Sequence, residues 1–443
     1  MKTLVFGLGV SGIAAAKFLL KQGETVLGID SHHSHLETSQ EIDALKAQGM
    51  NVQHDSDPIH WESIRQVVVS PGIHPNHPIY QSAKQKNIAI ICEAELALPH
   101  LKKRLISVTG TNGKTTVTLI VEHVLNSIGI KTKAIGNIGI ALCDYLMNPG
   151  NEEVCVVELS SFQLETMRTP VFDSAVLLNI TPDHLDRYES MQEYAEAKCQ
   201  LQSLIKKGAD FFVQSQTVKE FGHLLKIKNY QTFGLEKECD LWADLVTIVY
   251  RKRTECMLPA KYREVGKHDI ENLLAAWALC RPFSISNEQF FRALETFQKP
   301  SHRIEFICEI DGVSYFDDSK GTNIDAVIKA VEGMKGSVIL IAGGVDKGAS
   351  YLPWKEPFFD KVKQIIAIGA AAQKIYRELH PHFNIKIVDS LNVAVEMAAS
   401  NAGKGDCVLL SPGCSSYDMF RNYVHRGEEF QRYVHSIALR RRP

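Results

Sequence analysis

The segment VTGTNGKTT, residues 108–116, combines glycines, threonines and a lysine between an apolar run and a helical pattern. Gly110 and Gly113 free the backbone so that its N–H groups can turn towards an anion. Lys114 supplies a positive charge, and the Thr115 hydroxyl is a ligand that Mg²⁺ accepts. The general phosphate-loop pattern has a glycine five positions before its second one, where this sequence has valine. We interpret the segment as a phosphate loop with a displaced glycine, and a βα turn that carries Gly-Lys-Thr by chance is the alternative.

Acidic residues and a histidine follow the next apolar runs of the chain. Glu158 ends the run VCVVE, and Asp183, His184 and Asp186 lie in a loop after SAVLLNI. The carboxyl ends of parallel strands meet at one edge of a sheet, so these residues are expected near the phosphate loop. A single histidine is more often structural, but this position would let it bind a metal ion.

Lys198 occupies an unusual position for a lysine. It lies in a helix predicted for residues 188–206, and its spacing from Met191, Tyr194 and Ala195 puts it on the inward apolar stripe. One interpretation is that its stem packs inwards while the ammonium reaches solvent. The other is an inward lysine used chemically, because a desolvated lysine readily loses its proton.

A second glycine motif lies near the start of the chain. GLGVSG, residues 7–12, has the full G-x-G-x-x-G pattern between an apolar run and an apolar helical stretch. Asp30 ends the next apolar run, where an acid can accept hydrogen bonds from a ribose. The helix N-terminus after the glycines favours a diphosphate. NAD is the default ligand and a nucleotide sugar is the competitor. The turn SPGI, residues 70–73, either lines the same sheet edge or is a plain β-turn.

Three blocks of alternating short apolar runs and helical stretches divide the chain. We predict an α/β protein with a Rossmann-like domain over 1–93, a central P-loop ATPase-type domain with a parallel sheet over 94–298, and a Rossmann-like domain over 299–443. Strands are predicted at 3–6, 25–29, 66–70, 88–92, 105–108, 154–158, 174–178 and 210–213, and helices at 117–128 and 268–280.

Composition narrows the function classes. A formal net charge of −2 gives no broad attraction for nucleic acid or an anionic membrane. The ten cysteines have neither C-x-x-C pairs nor zinc-ligand spacing, which favours free thiols in a reducing compartment. No apolar stretch of about 20 residues occurs, so we expect no membrane span. We therefore expect a cytoplasmic protein, acting as a monomer on small molecules.

Several segments together resemble the Mur ligases of bacterial cell-wall synthesis. The family spells its phosphate loop G-T-[NK]-G-K-[ST], which residues 110–115 match. The other matching segments, in order, are GLGVSGIAAAKFL, ELSSFQLE, NITPDHLDRY, HRIE, DDSKGTN, GGVDKG and SPGCSSYDMF. ELSSFQLE and NITPDHLDRY resemble the branch of the family that uses D-glutamate. The resemblance extends over essentially the whole chain.

The resemblance implies an enzyme of bacterial peptidoglycan synthesis, and hence of cell shape and cell division. The three domains would bind a UDP-sugar, ATP and an amino acid. ATP would convert the carboxylate of UDP-N-acetylmuramoyl-L-alanine to an acyl phosphate, which D-glutamate would attack, releasing ADP and phosphate. Domain closure is expected, because the three sites must meet.

The resemblance also assigns roles to individual residues. The catalytic residues would be Lys114, His184 and Lys198. Two Mg²⁺ ions would be held by Thr115, Glu158, His184 and Lys198, the last as a carbamate. ATP would be bound by Gly110, Thr111, Asn112, Gly113, Lys114, Thr115, Thr116, Asn272, Arg303 and Asp318. The UDP-sugar would contact Ser11, Asp30, Ser31, Gly72 and Asn137. D-Glutamate would contact Lys320, Thr322, Lys347, Ser416 and Tyr423.

Three positions depart from the family pattern. Asp269 stands for the first asparagine of H-N-x-x-N, Asp317 for the asparagine of N-D-S-K, and Tyr423 for a phenylalanine. Tyr423 is expected to add a hydrogen bond to the glutamate site.

Other function classes explain less of the sequence. An NAD-linked oxidoreductase leaves the central loop, Glu158 and Lys198 without a role. A non-enzymatic P-loop switch does not need the first and third blocks. A folylpolyglutamate synthase ordinarily lacks the N-terminal glycine fingerprint.

Overall fold

The computed structural model describes residues 1–244, 246–259 and 266–441. The backbone divides into two compact units, Met1–Ile180 with Gln192–Phe297, and Thr181–Met191 with Gln298–Pro443. Three separate sheets form the framework, as predicted for a three-domain α/β protein. Within the described part of the chain, no helix has the length and apolar character needed to cross a membrane.

The first sheet, in the first unit, is entirely parallel, with the order β3-β2-β1-β4-β5. Its strands are β1 (Lys2–Phe6), β2 (Val26–Asp30), β3 (Asn51–His54), β4 (Ile64–Val69) and β5 (Ala89–Cys92). Its helices are α1 (Val10–Lys21), α2 (His33–Thr38), α3 (Gln40–Ala47), α4 (Pro78–Gln85) and α5 (Glu93–Ala97). The order reverses between β1 and β4, the switch point where doubly wound sheets bind ligands.

The second sheet lies in the same unit and has the order β14-β13-β12-β11-β10-β9-β6-β8-β7. Its parallel part consists of β6 (Arg104–Thr109), β7 (Thr132–Gly136), β8 (Val154–Glu158), β9 (Phe172–Leu177), β10 (Ile205–Gln214), β11 (Gln231–Gly234) and β12 (Leu241–Ala243). An antiparallel extension adds β13 (Thr247–Tyr250) and β14 (Arg253–Met257). Helices α6 (Lys114–Ser127), α7 (Leu142–Met147), α8 (Ser161–Leu164), α9 (Met191–Cys199), α10 (Ser215–Phe221), α11 (Lys267–Cys280) and α12 (Asn287–Glu295) accompany it.

Helix α6 is anchored by an apolar face. Val117, Val121, Val124 and Leu125 are fully buried in a core that also contains residues of α11. Burying each such side chain contributes about 1.5–3 kcal/mol. This packing fixes the helix whose first residue is Lys114.

The helix predicted for residues 188–206 is shorter than expected. Helix α9 ends at Cys199, a 3₁₀ turn covers Gln200–Leu204, and Ile205 begins β10. The prediction was wrong in this last part because an apolar residue on a helical stripe also suits a buried strand.

The third sheet, in the second unit, has the order β15-β16-β20-β17-β18-β19. Its strands are β15 (Glu305–Ile310), β16 (Val313–Asp317), β17 (Val338–Gly343), β18 (Val362–Ile368), β19 (Ile385–Ile387) and β20 (Cys407–Leu410), and β15 is antiparallel to β16 whereas the other pairs are parallel. Two apolar cores flank it. Its helices are α13 (Ile324–Glu332), α14 (Lys355–Phe358), α15 (Ala372–Leu379), α16 (Leu391–Asn401) and α17 (Tyr423–Arg440).

Candidate active site

The central phosphate loop connects β6 to α6 in the first unit. Gly110 and Gly113 have φ angles of 155° and 87°, which side chains rarely allow. A Cβ atom on Gly110 would lie 2.6 Å from Leu178 Cβ, and one on Gly113 would lie 2.2 Å from Asn272 Oδ1. The loop therefore requires both glycines, and it ends at a helix N-terminus, a position that suits an anion.

Two side chains that were not predicted to belong to the site hold this loop. Asn179, just after β9, accepts a hydrogen bond from the Asn112 N–H at 2.8 Å and donates one to the Asn112 carbonyl at 3.2 Å. The Tyr194 hydroxyl lies 3.0 Å from the hydroxyl of Thr111. The signal for Asn179 was its position at a strand end, and that for Tyr194 was its place on the inward stripe.

Two lysines converge on one carbonyl of the loop. Lys114 Nζ donates to the carbonyls of Gly110 and Thr111 at 2.7 and 2.8 Å. Lys198 Nζ donates to the Gly110 carbonyl at 2.8 Å and lies 4.7 Å from the centre of the Tyr194 ring. Lys198 is only 1% exposed, so its ammonium does not reach solvent. The burial excludes the interpretation in which the ammonium reaches solvent, and the chemical use of Lys198 stays a prediction.

Glu158 ends β8, and its two carboxylate oxygens differ in their surroundings. Its Oε1 accepts a hydrogen bond from Asn137 Nδ2 at 2.9 Å. Its Oε2 is buried and has no hydrogen-bond partner within the described residues. An unpaired buried carboxylate oxygen is costly unless a cation or donor reaches it. Asn137, predicted for the UDP-sugar site, thus contacts the candidate metal ligand.

The N-terminal glycine turn is built by backbone approach. A Cβ on Gly12 would lie 1.9 Å from the Gly7 carbonyl oxygen, so helix and turn touch directly. The Ser70 hydroxyl donates to the same carbonyl at 2.6 Å. The turn at residues 70–73 therefore lies against the first turn, on the same edge of the sheet. Ser11 is half-buried in α1, and Ser31 and Gly72 are exposed.

Asp30 braces this turn. Its Oδ2 accepts the Leu8 N–H at 2.6 Å, and its Oδ1 accepts the His32 N–H at 3.0 Å. Burial raises the pKa of Asp30, but these hydrogen bonds outweigh it, and the net pKa lies below the ordinary value. Asp30 is therefore an anion at neutral pH that fixes the glycine turn.

In the second unit, Asp183 gathers three predicted site residues. Its Oδ1 accepts hydrogen bonds from Lys347 Nζ and from the His184 N–H, both at 3.0 Å. The His184 Nε2 lies 3.5 Å from Asp183 Oδ2. Lys347 also donates to the Thr322 hydroxyl at 3.4 Å. His184 adopts a positive φ of 57°, a strained backbone conformation typical of functional loops.

Asp318 is buried next to Arg303. Ser411 donates to its Oδ2 at 2.6 Å, and the Ile304 N–H to its Oδ1 at 3.3 Å. Burial raises the pKa of Asp318 to about 7, although Ser411 and Arg303 act in the opposite direction. The protonation of this carboxyl therefore changes near neutral pH.

The departures from the family pattern have structural partners. Asp317 Oδ2 lies 2.7 Å from His302 Nδ1, and this hydrogen bond raises the pKa of His302. The Lys320 ammonium lies 3.8 Å from the centre of the Tyr423 ring, a cation–π contact. Asp269 Oδ1 lies 3.7 Å from Nε2 of its neighbour His268.

The predicted residues are divided between the two units. The phosphate loop, Glu158, Lys198 and Asn272 lie in the first unit, with the predicted UDP-sugar residues. His184, Arg303, Asp318, the glutamate-site residues and the buried Ser416 lie in the second.

Three family models match successive parts of the chain. They are the Mur ligase MurD-like, N-terminal domain over residues 1–92, the Mur ligase middle domain over residues 108–280, and the Mur ligase, glutamate ligase domain over residues 302–414. The UDP-N-acetylmuramoylalanine–D-glutamate ligase of Protochlamydia amoebophila is 48% identical over 433 residues, covering 98% of this chain and 97% of that protein. This chain belongs to the Mur ligase family. The ligase of the same name from Alkaliphilus metalliredigens is 36% identical, with 98% of each chain covered.

Solved Mur ligases share the fold. MurC of Thermotoga maritima superposes with a TM-score of 0.58 at 17% identity, covering 98% of this chain and 100% of that one. The MurF ligase of T. maritima, solved in complex with ADP, gives a TM-score of 0.59 at 15% identity, covering 94% and 96%. The predicted three-domain α/β fold is confirmed. As a Mur ligase, the chain is an ATP-dependent amide-bond ligase.

Proposed function

We propose that this Mur ligase joins D-glutamate to UDP-N-acetylmuramoyl-L-alanine in peptidoglycan precursor synthesis. The similarity to named D-glutamate ligases over nearly the whole chain carries this assignment. An NAD-linked oxidoreductase or a folylpolyglutamate synthase is not compatible with that similarity. We further propose a cytoplasmic monomer.

Each domain takes one ligand in this proposal. Residues 1–93 bind the UDP-sugar, 94–298 bind ATP, and 299–443 bind D-glutamate. The glycine turn with Asp30 suits a diphosphate and ribose. Ser11, Ser31, Gly72 and Asn137 complete the UDP-sugar contacts.

The residues of the first unit fit a magnesium ion. Glu158 offers a buried oxygen that bonds to none of the described residues, and Thr115 lies half-buried in the first turn of α6. These are the oxygen ligands that Mg²⁺ prefers, and a bound ion would offset negative charge on the phosphates. His184 and Lys198 are proposed to hold a second ion.

A buried ammonium at Lys198 does not suit a cation site, and a carbamate does. The neutral amine would attack CO₂, forming an N–C bond and releasing one proton. The product carries a negative carboxylate and keeps one N–H on Nζ. That N–H can still donate to the Gly110 carbonyl, where Nζ now lies 2.8 Å away.

The chain's own residues then position two transfers. A substrate carboxylate oxygen attacks the γ-phosphorus of ATP, and ADP leaves. The amine of D-glutamate attacks the acyl carbon, phosphate leaves, and the amine loses a proton. Lys114 and the loop N–H groups stabilise the phosphates. Asn272, Arg303 and Asp318 hold the nucleotide.

D-Glutamate is proposed to bind in the second unit. Lys347 and Lys320 offer positive charges for its carboxylates. Thr322, Ser416 and Tyr423 supply hydroxyl groups. A hydrogen bond from Tyr423 to the amino acid would be made beside its contact with Lys320.

Phosphate release with Mg-ATP and UDP-N-acetylmuramoyl-L-alanine tests the assignment. Release should require D-glutamate, and L-alanine or L-lysine should not replace it. No release with D-glutamate, or equal release with L-alanine, would contradict the proposal.

A further inference from the structure

The loop that carries Lys347 contains three glycines in the left-handed region of the backbone map. Gly343, Gly344 and Gly348 have φ angles of 121°, 133° and 81°. Glycine reaches this region without a steric penalty, but it loses more conformational freedom on folding than any other residue. Contacts from outside the loop are therefore needed to hold Lys347 in one place.

A second loop, which carries Ser416, pairs with the first through the backbone. The Val345 N–H donates to the Ser415 carbonyl at 2.9 Å, and the Ser415 N–H donates to the Val345 carbonyl at 3.1 Å. Lys347 and Ser416, both proposed to bind D-glutamate, thus follow the two residues of one backbone bridge closely in sequence.

Tyr351 connects side chains of the same two loops. Its hydroxyl donates to Asp346 Oδ1 at 3.1 Å and lies 3.0 Å from Cys414 Sγ. Asp346 directly precedes Lys347, and Cys414 lies two residues before Ser416. Because a carboxylate only accepts hydrogen bonds, the phenol proton points to Asp346, and the thiol of Cys414 donates to the phenol oxygen.

Burial keeps both of these donors protonated. Tyr351 is 1% exposed and Cys414 is fully buried. Burial raises the pKa of Tyr351 far above its ordinary value, and it raises the pKa of Cys414 to about 11. The direction of the two hydrogen bonds is therefore the same throughout the neutral pH range.

Both ends of this connection are anchored. Lys374, in α15, donates from Nζ to Asp346 Oδ2 and to the Ala349 carbonyl, each at 2.8 Å. The Tyr351 ring packs against the buried ring of Trp354, with 5.0 Å between the ring centres. The hydroxyl of Tyr351 is thus fixed by the core on one side and holds the loops on the other.

We infer that Tyr351 is a positioning residue for D-glutamate, because its hydroxyl fixes the loops of Lys347 and Ser416 relative to each other. This inference rests on the function proposed above. Tyr351 acts through Asp346 and Cys414, without touching the amino acid. Side chains that are held in place before binding lose less freedom when the ligand arrives, so this arrangement favours D-glutamate binding.

Steady-state phosphate release with each substrate varied in turn tests the role of Tyr351. Tyr351→Phe keeps the ring, and hence its contact with Trp354, and removes only the hydroxyl. It should raise the KM for D-glutamate about three- to tenfold, the usual effect of one lost hydrogen bond. The KM values for ATP and for the UDP-sugar, and kcat, should stay within about twofold of wild type. Tyr376→Phe is the matched control, since Tyr376 is an exposed tyrosine of the same domain, and it should behave like wild type.

A double-mutant cycle separates the hydrogen-bonded connection from a general loss of structure. Asp346→Ala should raise the KM for D-glutamate at least as much as Tyr351→Phe does. The double variant should have the KM of Asp346→Ala alone, because both residues act through the same connection. Effects on the free energy scale that simply add would overturn the inference.

The kinetic outcomes distinguish this inference from the ligase assignment. If wild type requires D-glutamate and Tyr351→Phe has the same KM for it as Tyr376→Phe, only the positioning role is wrong. An equal rise in the KM values of all three substrates would also overturn that role. If phosphate release by wild type does not depend on D-glutamate, the ligase assignment is wrong, and the positioning role is refuted with it.

Discussion

The first unit contains two glycine turns with the same backbone design and different surroundings. One lies between β1 and α1 at residues 7–12, and the other between β6 and α6 at residues 110–113. Each follows a buried parallel strand, and each brings backbone atoms close through glycine. Each also places a helix N-terminus at the carboxyl edge of its sheet, a position that favours an anion.

The side chains around the two turns differ. The first turn is braced by Asp30 and Ser70, which accept from and donate to its backbone. The second receives Lys114 and Lys198 on the Gly110 carbonyl, with Glu158 at the end of a strand adjacent to β6. In the function proposed above, the backbone of each turn selects a phosphate, whereas residues from neighbouring strands and helices determine whether that phosphate is held or transferred.

The largest effect is expected from removing the charge at the second turn. Lys114→Ala should lower phosphate release about 100- to 1,000-fold, the usual loss when one group that stabilises developing charge is removed. Steady-state phosphate release measures this. Lys131→Ala, an exposed lysine of the same domain, should retain wild-type activity. Comparable losses in both variants would show that the effect is not specific to the loop.

The second lysine allows a chemical rescue. Lys198→Ala should lose about 100-fold in activity, because its anionic form as a carbamate would be missing. Added acetate or formate should restore part of that activity by replacing the missing carboxylate. Lys207→Ala, at an exposed position, should need no rescue. Full activity in Lys198→Ala would contradict a role for the carbamate.

A substitution of Glu158 should show that the second turn depends on Mg²⁺. Glu158→Gln should need at least about tenfold more Mg²⁺ for half-maximal activity, since even loss of an outer metal partner weakens binding that much. Mg²⁺ with ADP should raise the unfolding temperature of wild type and of Glu153→Gln, an exposed control. The same stabilisation in Glu158→Gln would exclude Glu158 as a ligand.

A smaller effect, on the pH dependence of stability, is expected from two buried carboxyls whose pKa values are shifted in opposite directions. Hydrogen bonds hold the pKa of Asp30 below its ordinary value, whereas burial raises the pKa of Asp318 to about 7. For Asp318 the folded state binds the proton more tightly than the unfolded state. Its ionisation therefore removes stability as pH rises from about 4 towards 7.

Unfolding temperatures at pH 5 and pH 8 test this sign. Between pH 5 and pH 8, the unfolding temperature of wild type should fall by a few degrees relative to that of Asp318→Asn. Because the pKa of Asp30 is depressed, its contribution is present at both pH values. Asp30→Asn should show a difference from wild type that does not change between them. A difference for Asp318→Asn that is independent of pH would contradict the raised pKa.

Apolar runs made most of the parallel framework predictable. Strands such as β1, β6 and β8 are almost wholly buried and were predicted within one or two residues. Strand β3 was missed because three of its four residues are polar and because it is at most partly buried at the sheet edge. The antiparallel extension β13–β14 was also missed.

The site was predictable where residues are close in sequence or lie at strand ends. Gly110, Gly113 and Lys114 form one segment, and Glu158 ends a clear apolar strand. The hydrogen bonds from Asn179 and Tyr194 to the loop depend on packing between distant segments of the chain. The periodicity of apolar residues does not reveal such packing.

Calorimetric titration of Mg-ATP and UDP into Lys114→Ala and Asp30→Asn tests the separation of the two turns most directly. Lys114→Ala should bind Mg-ATP much more weakly and UDP like wild type, and Asp30→Asn should show the reverse. If either variant loses both ligands equally, or if Lys114→Ala binds Mg-ATP as tightly as wild type, the two turns do not have the separate roles described above.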